Sequence, residues 1–145
     1  MKKLWLFIAI VLTAIIVYVM IYWWRFTSAW QPVVNSFEIQ ISNLNASVYV
    51  KTKTWGITYD YQLLLISAHR KKNFEYDPKQ DYIYHDFSYL FYRVTDDGLE
   101  IYTRTPSPVP EAFPPNIKII QIELENPAMM ELLTTYESRG LKKFE

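Results

Sequence analysis

The sequence predicts a mainly β protein, in which an N-terminal transmembrane helix precedes an antiparallel β-sandwich-like domain of about six or seven strands with a C-terminal α-helix. Three observations indicate this fold class. Residues 4–24 form an uncharged apolar run, alternating apolar and polar residues recur between positions 37 and 124, and an amphipathic helical pattern closes the chain. A chain of 145 residues has room for one domain and an accessory segment. We expect an anchor at residues 1–25, a tether at 26–34 and the domain at 35–145.

The apolar run has the length of a membrane span. Its 21 residues, folded as a helix, extend roughly 31 Å, which matches the hydrocarbon core of a bilayer. Aromatic residues, which favour membrane interfaces, lie at both of its ends: Trp5, Tyr22, Trp23 and Trp24. We therefore expect an uncleaved signal-anchor helix. A cleaved signal peptide is the alternative, because Thr27 and Ala29 make a small-x-small cleavage pattern.

The positive charges predict the orientation of the anchor. Lys2 and Lys3 precede the apolar run, whereas Arg25 is the only basic residue between the run and Lys51. The positive-inside rule then places the N-terminus in the cytoplasm. Residues 26–145 are expected to be extracytoplasmic, in the periplasm or outside the cell.

Charge and cysteine content narrow the range of partners and chemistries. Without Lys2, Lys3 and Arg25, the chain carries 12 basic and 15 acidic residues, a net charge of −3. This balance argues against nucleic acid or an anionic membrane surface as the main partner. The absence of cysteine excludes disulfides, thiol nucleophiles and zinc–thiolate sites.

A first hairpin is predicted by period-two patterns on either side of a turn. Alternate residues are apolar from Phe37 to Ile41 and again from Ala46 to Val50, with the turn sequence "SNLN" at 42–45 between them. A four-residue loop places Ile41 opposite Ala46 and Phe37 opposite Val50. Both apolar sets then lie on one side of the hairpin.

A third strand is expected to begin at Gly56 and to run through "LLLI" at 63–66. That run is apolar on both faces. Such a pattern is typical of a central strand or of one whose outer face is covered.

A second hairpin is predicted around the turn sequence "TDDG" at 95–98, because Asp97-Gly98 suits a tight turn. Pairing residue 96 with residue 99 places Val94 opposite Ile101 and Tyr92 opposite Thr103. One face of this hairpin is then apolar: Leu90, Tyr92, Val94, Leu99 and Ile101. We expect Leu90, Tyr92, Val94 and Ile101 to be buried.

The opposite face of the second hairpin is the candidate binding surface, since aromatic and arginine side chains are the composition of an interaction hot spot. Its candidate residues are Tyr89, Phe91, Arg93, Tyr102 and Arg104. The same pairing places Arg93 across from Tyr102 and Phe91 across from Arg104. In one alternative a partner covers this face. In the other, which we favour for Phe91, the C-terminal helix covers it and leaves Arg93, Tyr102 and Arg104 exposed. The simplest interpretation of the high aromatic content is that many tyrosines lie at the half-buried margin of a sheet, where the ring packs and the hydroxyl stays hydrated.

The remainder of the domain is predicted to contain a crossover, a strand and a helix. Five of the eight prolines fall within residues 106–115, which predicts a stiff, extended crossover pinned by Phe113. A strand follows, with Ile120, Ile122 and Leu124 on one face. A helix is then expected at 127–139.

The ends of this helix carry recognisable signals. Asn126 is the expected N-cap, and Pro127 suits the first helical position. Gly140 suits a left-handed position after the helix, where Leu141 would fold back onto Tyr136. The apolar stripe that must be buried consists of Met129, Leu132, Leu133 and Tyr136.

The sequence indicates no catalytic residues, no metal site and no cofactor. Each of the three glycines has a place at a turn or an element end, so no glycine-rich phosphate loop remains. Acids and histidines do cluster between His69 and Asp86, but His85 and Asp86 point to opposite faces of an extended strand. We interpret these residues as solvated loop groups.

We therefore expect a non-catalytic, membrane-anchored binding or scaffold module of the cell envelope, with a protein partner. The alternative is a receptor for a small ligand, glycan or peptide, including an envelope inhibitor or immunity protein, that uses the aromatic surface. An envelope hydrolase is the third possibility.

Overall fold

The computed structural model describes residues 2–28, 31–56 and 61–144. In this part of the chain, two helices and eight strands follow one another, with short 3-10 turns at Ser42–Leu44 and Phe87–Tyr89. The helices are α1 (Lys2–Ser28) and α2 (Asn126–Thr135), and the strands are β1 (Val33–Ile41), β2 (Ala46–Trp55), β3 (Tyr61–Ser67), β4 (Tyr82–His85), β5 (Phe91–Val94), β6 (Gly98–Thr103), β7 (Lys118–Glu123) and β8 (Lys142–Lys143). The protein is mainly β, with an N-terminal apolar helix and a C-terminal helix.

The helix α1 is long and apolar enough to cross a membrane. Its spanning segment runs from Lys3 to Thr27, and none of that segment is buried against the rest of the described chain. An apolar helix with no protein cover suits a lipid environment, because lipid chains can cover the side chains that the domain leaves bare.

The first sheet has the order β1-β2-β3-β4 and is antiparallel throughout. The predicted register of its first hairpin is confirmed, since Phe37 pairs with Val50 and Ile41 pairs with Ala46. Asn45 closes the turn with φ of 47°, a left-handed conformation that asparagine tolerates.

The strand β3 has the central position that its doubly apolar sequence predicts. It lies between β2 and β4, and Leu64, Leu65 and Ile66 are all buried. Its predicted start differs: Gly56 is in a bend with φ of 100°, while residues 57–60 lie outside the described residues.

The second sheet has the order β7-β6-β5-β8 and is mixed. The pairs β5–β6 and β5–β8 are antiparallel, whereas β6 and β7 are parallel. The wholly antiparallel arrangement expected from the sequence is therefore wrong for this pair. Parallel neighbours need a crossover, and the proline-rich segment between β6 and β7 supplies it. Phe113 in that segment packs edge-on against Tyr82, with the ring centres 5.0 Å apart, as expected of a residue that pins the crossover.

The register of the second hairpin differs from the prediction by two residues. Val94 pairs with Leu99 and Tyr92 pairs with Ile101. A two-residue shift keeps each side chain on its predicted face, because the strand period is two. Leu90, Leu99 and Ile101 are accordingly buried and Tyr92 is half-buried. Val94, however, is 38% exposed, so its predicted burial is wrong.

Two apolar clusters of the described residues hold the domain together. The larger draws residues from both sheets, among them Val50 and Leu64 from the first sheet and Leu99 and Ile101 from the second. The smaller lies beneath α2 and contains Phe91, Met129, Leu132 and Leu141. The strand β7 contributes Ile119 to the larger cluster, while Ile120 faces outward and is exposed.

The helix α2 begins and ends differently from the prediction at 127–139. Glu125, rather than Asn126, is the N-cap, and it makes no side-chain capping bond. The helix itself ends at Thr135, and turns continue to Gly140, where φ is 68°. The amide of Leu141 donates to the carbonyl of Tyr136, and the amide of Gly140 donates to that of Glu137. These two bonds are the Schellman ending that the sequence predicts.

The strand β8 is not predicted from the sequence. After Gly140 the chain reverses, and Lys142–Lys143 pairs with β5. Phe144 then stacks on Tyr92 with the ring centres 4.3 Å apart and contacts Phe37 of β1 at 6.2 Å. The end of the described chain therefore contributes to the core.

Candidate functional site

An open cleft of about 1020 Å³ lies where β4 ends, β6 ends and α2 begins. We call it the Tyr89 cleft. The residues that line it are His85, Asp86, Tyr89, Thr103, Arg104, Thr105, Glu123, Leu124, Glu125, Asn126 and Pro127.

One wall of the Tyr89 cleft is built by a sharp turn after β4. Asp86 has φ of 58° and ψ of 74°, a left-handed conformation that is uncommon outside glycine. Gln62 of β3 holds the turn in two ways: its carbonyl accepts the amide of Asp86 at 3.0 Å, and its side-chain oxygen accepts the hydroxyl of Ser88 at 2.7 Å. Phe87 is buried at the same place. His85 and Asp86 at this turn are both exposed and both line the cleft.

An aromatic–arginine pair forms a second part of the cleft. The guanidinium carbon of Arg104 lies 5.4 Å from the centre of the Tyr89 ring, within the range of a cation–π interaction. Arg104 is exposed and Tyr89 is half-buried. The pair therefore offers a positive charge held over one face of a partly covered ring.

The third wall comes from the end of β7 and the start of α2. The amide of Leu124 donates to the carbonyl of Thr103 at 2.8 Å, which continues the β6–β7 pairing to the mouth of the cleft. Glu123 is the last residue of β7 and pairs with Thr103, Glu125 follows Leu124, and both glutamates line the cleft. The cleft thus combines one arginine with the acids Asp86, Glu123 and Glu125.

The helix α2 divides the binding surface predicted from the sequence. Phe91 is wholly buried, and its ring lies 5.1 Å from that of Tyr136. This is the covered arrangement that we favoured for Phe91, so its side chain is removed from the surface. Of the other four predicted residues, Tyr89 and Arg104 line the Tyr89 cleft. Arg93 and Tyr102 instead line a smaller cavity of about 200 Å³ beside α2.

The smaller cavity contains an ion-pair network. The guanidinium of Arg93 lies 2.5 Å from a carboxylate oxygen of Glu100, its partner across the hairpin, and 3.2 Å from the hydroxyl of Tyr102. The predicted partners across the strands, Arg93 with Tyr102 and Phe91 with Arg104, are wrong because of the two-residue shift. The hydrogen bond to Glu100 is the main cause that raises the pKa of Arg93. Glu100 therefore pairs with Arg93 within the domain, which leaves less positive charge available to an external ligand than the sequence implied.

Four residues of the cleft are not among the site residues predicted from the sequence: His85, Asp86, Glu123 and Glu125. An extended strand would point His85 and Asp86 to opposite faces, but the backbone at Asp86 is left-handed and both residues line the cleft. The two glutamates belong to a strand end that only the parallel pairing with β6 brings to the cleft. Within the described residues, no group of three or more His, Asp or Glu side chains is placed to hold a metal ion.

Comparison with known proteins identifies no relative of this chain. No protein-family model matches it, no curated protein matches it, and no solved structure matches its fold.

Proposed function

We propose that this chain is a non-catalytic, membrane-anchored binding module of the cell envelope, and that a polypeptide segment of its partner binds in the Tyr89 cleft. The observation that carries the proposal is the cleft itself, about 1020 Å³ of open space lined by the Tyr89–Arg104 pair. Small-molecule sites are typically about 300–1,000 Å³ and bury most of the ligand. The Tyr89 cleft lies at the upper end of that range and is open to solvent, which suits a ligand that extends beyond the cleft.

The lining of the cleft favours a polypeptide over a glycan. The guanidinium of Arg104 covers one face of the Tyr89 ring, which is where a sugar ring would stack. The acids Asp86, Glu123 and Glu125 suit the cationic side chains and amide groups of a peptide. Arg104 suits an acidic side chain in the same segment.

The anchoring part of the proposal rests on the length and apolarity of α1. The lysines at positions 2 and 3 support an N-terminus in the cytoplasm and a domain on the other side of the membrane. The full chain is then expected to remain in membranes after alkaline carbonate washing. Protease added on the extracytoplasmic side is expected to remove the domain. A soluble mature chain that begins after residue 29 would contradict the anchor.

We also propose that the two sheets pack face to face as a sandwich. The shared apolar cluster supports this arrangement, as does the contact of Phe37 in β1 with Phe144 beyond β8. At the opposite edges, the amide of Ile83 in β4 donates to Ser107 of the proline-rich segment, and that segment in turn bonds to Gln121 of β7. The Tyr89 cleft would then be supported by two sheets that pack on each other.

A photocrosslinking experiment tests the proposed binding site. A benzophenone amino acid at Thr105, which is exposed and lines the cleft, is expected to give a discrete crosslinked polypeptide in native membranes. The same group at Asn43, exposed in the turn between β1 and β2, is the control position. Equal crosslinking at both positions, or none at Thr105, would contradict the proposal.

A matched pair of charge reversals tests the chemistry of the cleft. Arg104→Glu removes the cation–π contact and adds an acid to a cleft that already holds three. It is expected to abolish the crosslink from position 105. Arg70→Glu reverses an exposed arginine in the loop after β3 and is expected to leave the crosslink unchanged.

A further inference from the structure

We infer that the domain docks on the surface of the bilayer that α1 spans, through Trp55 and Tyr61 at one end of the first sheet. This inference rests on the proposed anchoring of α1. It concerns a different surface from the Tyr89 cleft and a different partner, the lipid interface.

The tether fixes which end of the sheet is close to the membrane. The spanning segment of α1 ends at Thr27, and β1 begins at Val33. The six peptide steps from Thr27 to Val33 span at most about 22 Å. Val33 pairs with Thr54, so the end of β2 lies beside the start of β1 and is also close to the end of the span. We call the end of the first sheet that contains Val33, Trp55 and Tyr61 the tether end.

The tether end carries side chains that favour a lipid interface. The rings of Trp55 and Tyr61, which pair across β2 and β3, are stacked with their centres 5.6 Å apart. Tyr61 is 62% exposed. Tryptophan and tyrosine concentrate at membrane–water interfaces, where the ring meets the acyl region and the polar atom stays hydrated.

Apolar and basic residues extend the same surface. Val33 and Val34 point to opposite faces of β1, and yet they are 44% and 46% exposed, so neither is covered by the sheet. The ammonium group of Lys53 lies 5.4 Å from the centre of the Trp55 ring. A lysine beside an interfacial tryptophan can extend its charge toward lipid phosphates while its stem stays against the ring.

The opposite end of the sheet has a different composition and is the internal control. It consists of the turn Ser42–Leu44 and Asn45, and Ser42, Asn43 and Asn45 are exposed. The nine residues of β1 separate the two ends by about 30 Å. Docking through the tether end therefore leaves Asn43 in water.

Docking also sets the position of the Tyr89 cleft. His85 in that cleft pairs with Leu63, two residues after Tyr61. The cleft consequently lies toward the tether end, and docking would hold its partner close to the membrane surface.

The test uses the absence of native cysteine. The full chain, with Val34→Cys or Asn43→Cys carrying a fluorescent label, is reconstituted in phosphatidylcholine vesicles that contain lipids with a nitroxide near the top of the acyl chain. We expect strong quenching of the label at position 34 and little at position 43. Tyr61→Ser is expected to remove most of the quenching at position 34, whereas Tyr61→Phe is expected to retain it. Because Tyr61 is largely exposed, the Tyr61→Ser chain is expected to fold, and unchanged circular dichroism verifies this.

Three outcomes would overturn the inference. Equal quenching at both positions would show that the tether end has no preference for lipid. Quenching at position 34 that is insensitive to Tyr61→Ser would show nearness through the tether alone. A label at position 34 that leaves water only at high protein-to-lipid ratio, without quenching by lipid, would assign the surface to a second copy of the chain. Alkaline washing of the same vesicles tests the anchor separately, so its failure is distinguishable from a failure of docking.

Discussion

The hydroxyl group of Tyr84 donates a hydrogen bond of 2.8 Å to the side-chain oxygen of Gln121, and this bond joins β4 of the first sheet to β7 of the second. The same oxygen accepts the backbone amide of Ser107 at 2.7 Å, and the Gln121 amide donates to the carbonyl of Ser107 at 2.9 Å. Burial raises the pKa of Tyr84, so the hydroxyl keeps its proton and remains a donor. One glutamine therefore connects both sheets and the proline-rich segment.

This network predicts unequal losses of stability. Tyr84→Phe removes one donor but leaves Gln121 bonded to Ser107, so we expect a loss of about 1 kcal/mol in the free energy of unfolding. Gln121→Leu leaves the Tyr84 hydroxyl and both backbone groups of Ser107 without partners, and we expect a loss of about 2–3 kcal/mol or more. Denaturant titration of the chain in mild detergent measures both values. Equal losses would show that the bond to Tyr84 dominates.

A single methyl group added at Gly98 is expected to reduce the stability of the domain strongly. A Cβ atom at this position would overlap the carbonyl oxygen of Lys118, its partner on the parallel strand β7. The φ of Gly98 is not positive, so the requirement is for space rather than for a left-handed turn. We expect Gly98→Ala to cost more than about 3 kcal/mol, at the high end of single substitutions.

Gly140→Ala is the matched control for that substitution. Gly140 has open space around its Cβ position but φ of 68°, so the only cost is conformational, about 1–2 kcal/mol. Thermal melts of the two variants compare the costs directly. A smaller loss for Gly98→Ala than for Gly140→Ala would show that β7 moves away without penalty.

The apolar residues of the second hairpin are expected to contribute unequally to stability, because they differ in burial. Ile101 is wholly buried in the larger apolar cluster, and Ile101→Ala is expected to cost about 2–5 kcal/mol. Val94→Ala is expected to cost less than about 1 kcal/mol, because Val94 is 38% exposed. Phe91→Ser is expected to behave like Ile101→Ala, since α2 covers it. A large loss for Val94→Ala in denaturant melts would contradict the exposed position of Val94.

Lys51 predicts a dependence of stability on pH. Its ammonium group donates to the carbonyl oxygens of Lys71 and Asn73, and the residue is 6% exposed. Burial lowers the pKa of Lys51 from 10.5, against the opposing charge of Glu75. Between the lowered folded pKa and 10.5 the unfolded chain binds more protons, so the contribution of Lys51 to stability rises with pH.

The measurement for Lys51 is a comparison with Lys51→Met. The free energy of unfolding of the natural chain relative to this variant is expected to increase as pH rises toward 10.5. Taking the difference between the two chains removes the effect of tyrosines, which titrate in the same range. A difference that stays constant or falls with rising pH would contradict the lowered pKa.

Much of the local structure follows from the sequence because local rules specify it. The length and composition of the apolar run are sufficient to predict α1 as a helix that is long and apolar enough to cross a membrane. The first hairpin is defined by the spacing of its apolar residues around a four-residue turn, and its register is confirmed at Phe37 and Val50. The Schellman ending at Gly140 follows from one glycine placed after an amphipathic helix.

The sequence also sorted the faces of the second hairpin, because a shift of two residues leaves each side chain on its own side. It did not define the pairing, since Thr95, Asp96 and Asp97 suit loops of more than one length. The predicted burial of Val94 was wrong for a different reason, because the exposure of a strand residue depends on how far the neighbouring elements extend over it.

Contacts between distant segments were decided by the tertiary structure alone. The parallel pairing of β7 with β6 and the addition of β8 to β5 join residues that no local pattern relates. The Tyr89 cleft depends on these contacts, because Glu123 comes from β7, Arg104 follows β6, and Asp86 reaches the cleft through a left-handed turn held by Gln62. The sequence by itself determined the elements and the faces of its hairpins, since those depend on period and turn chemistry. The sequence could not determine that Phe91 is buried while Tyr89 and Arg104 line a cleft. That difference depends on where α2 packs, because a side chain is buried only when another element covers it.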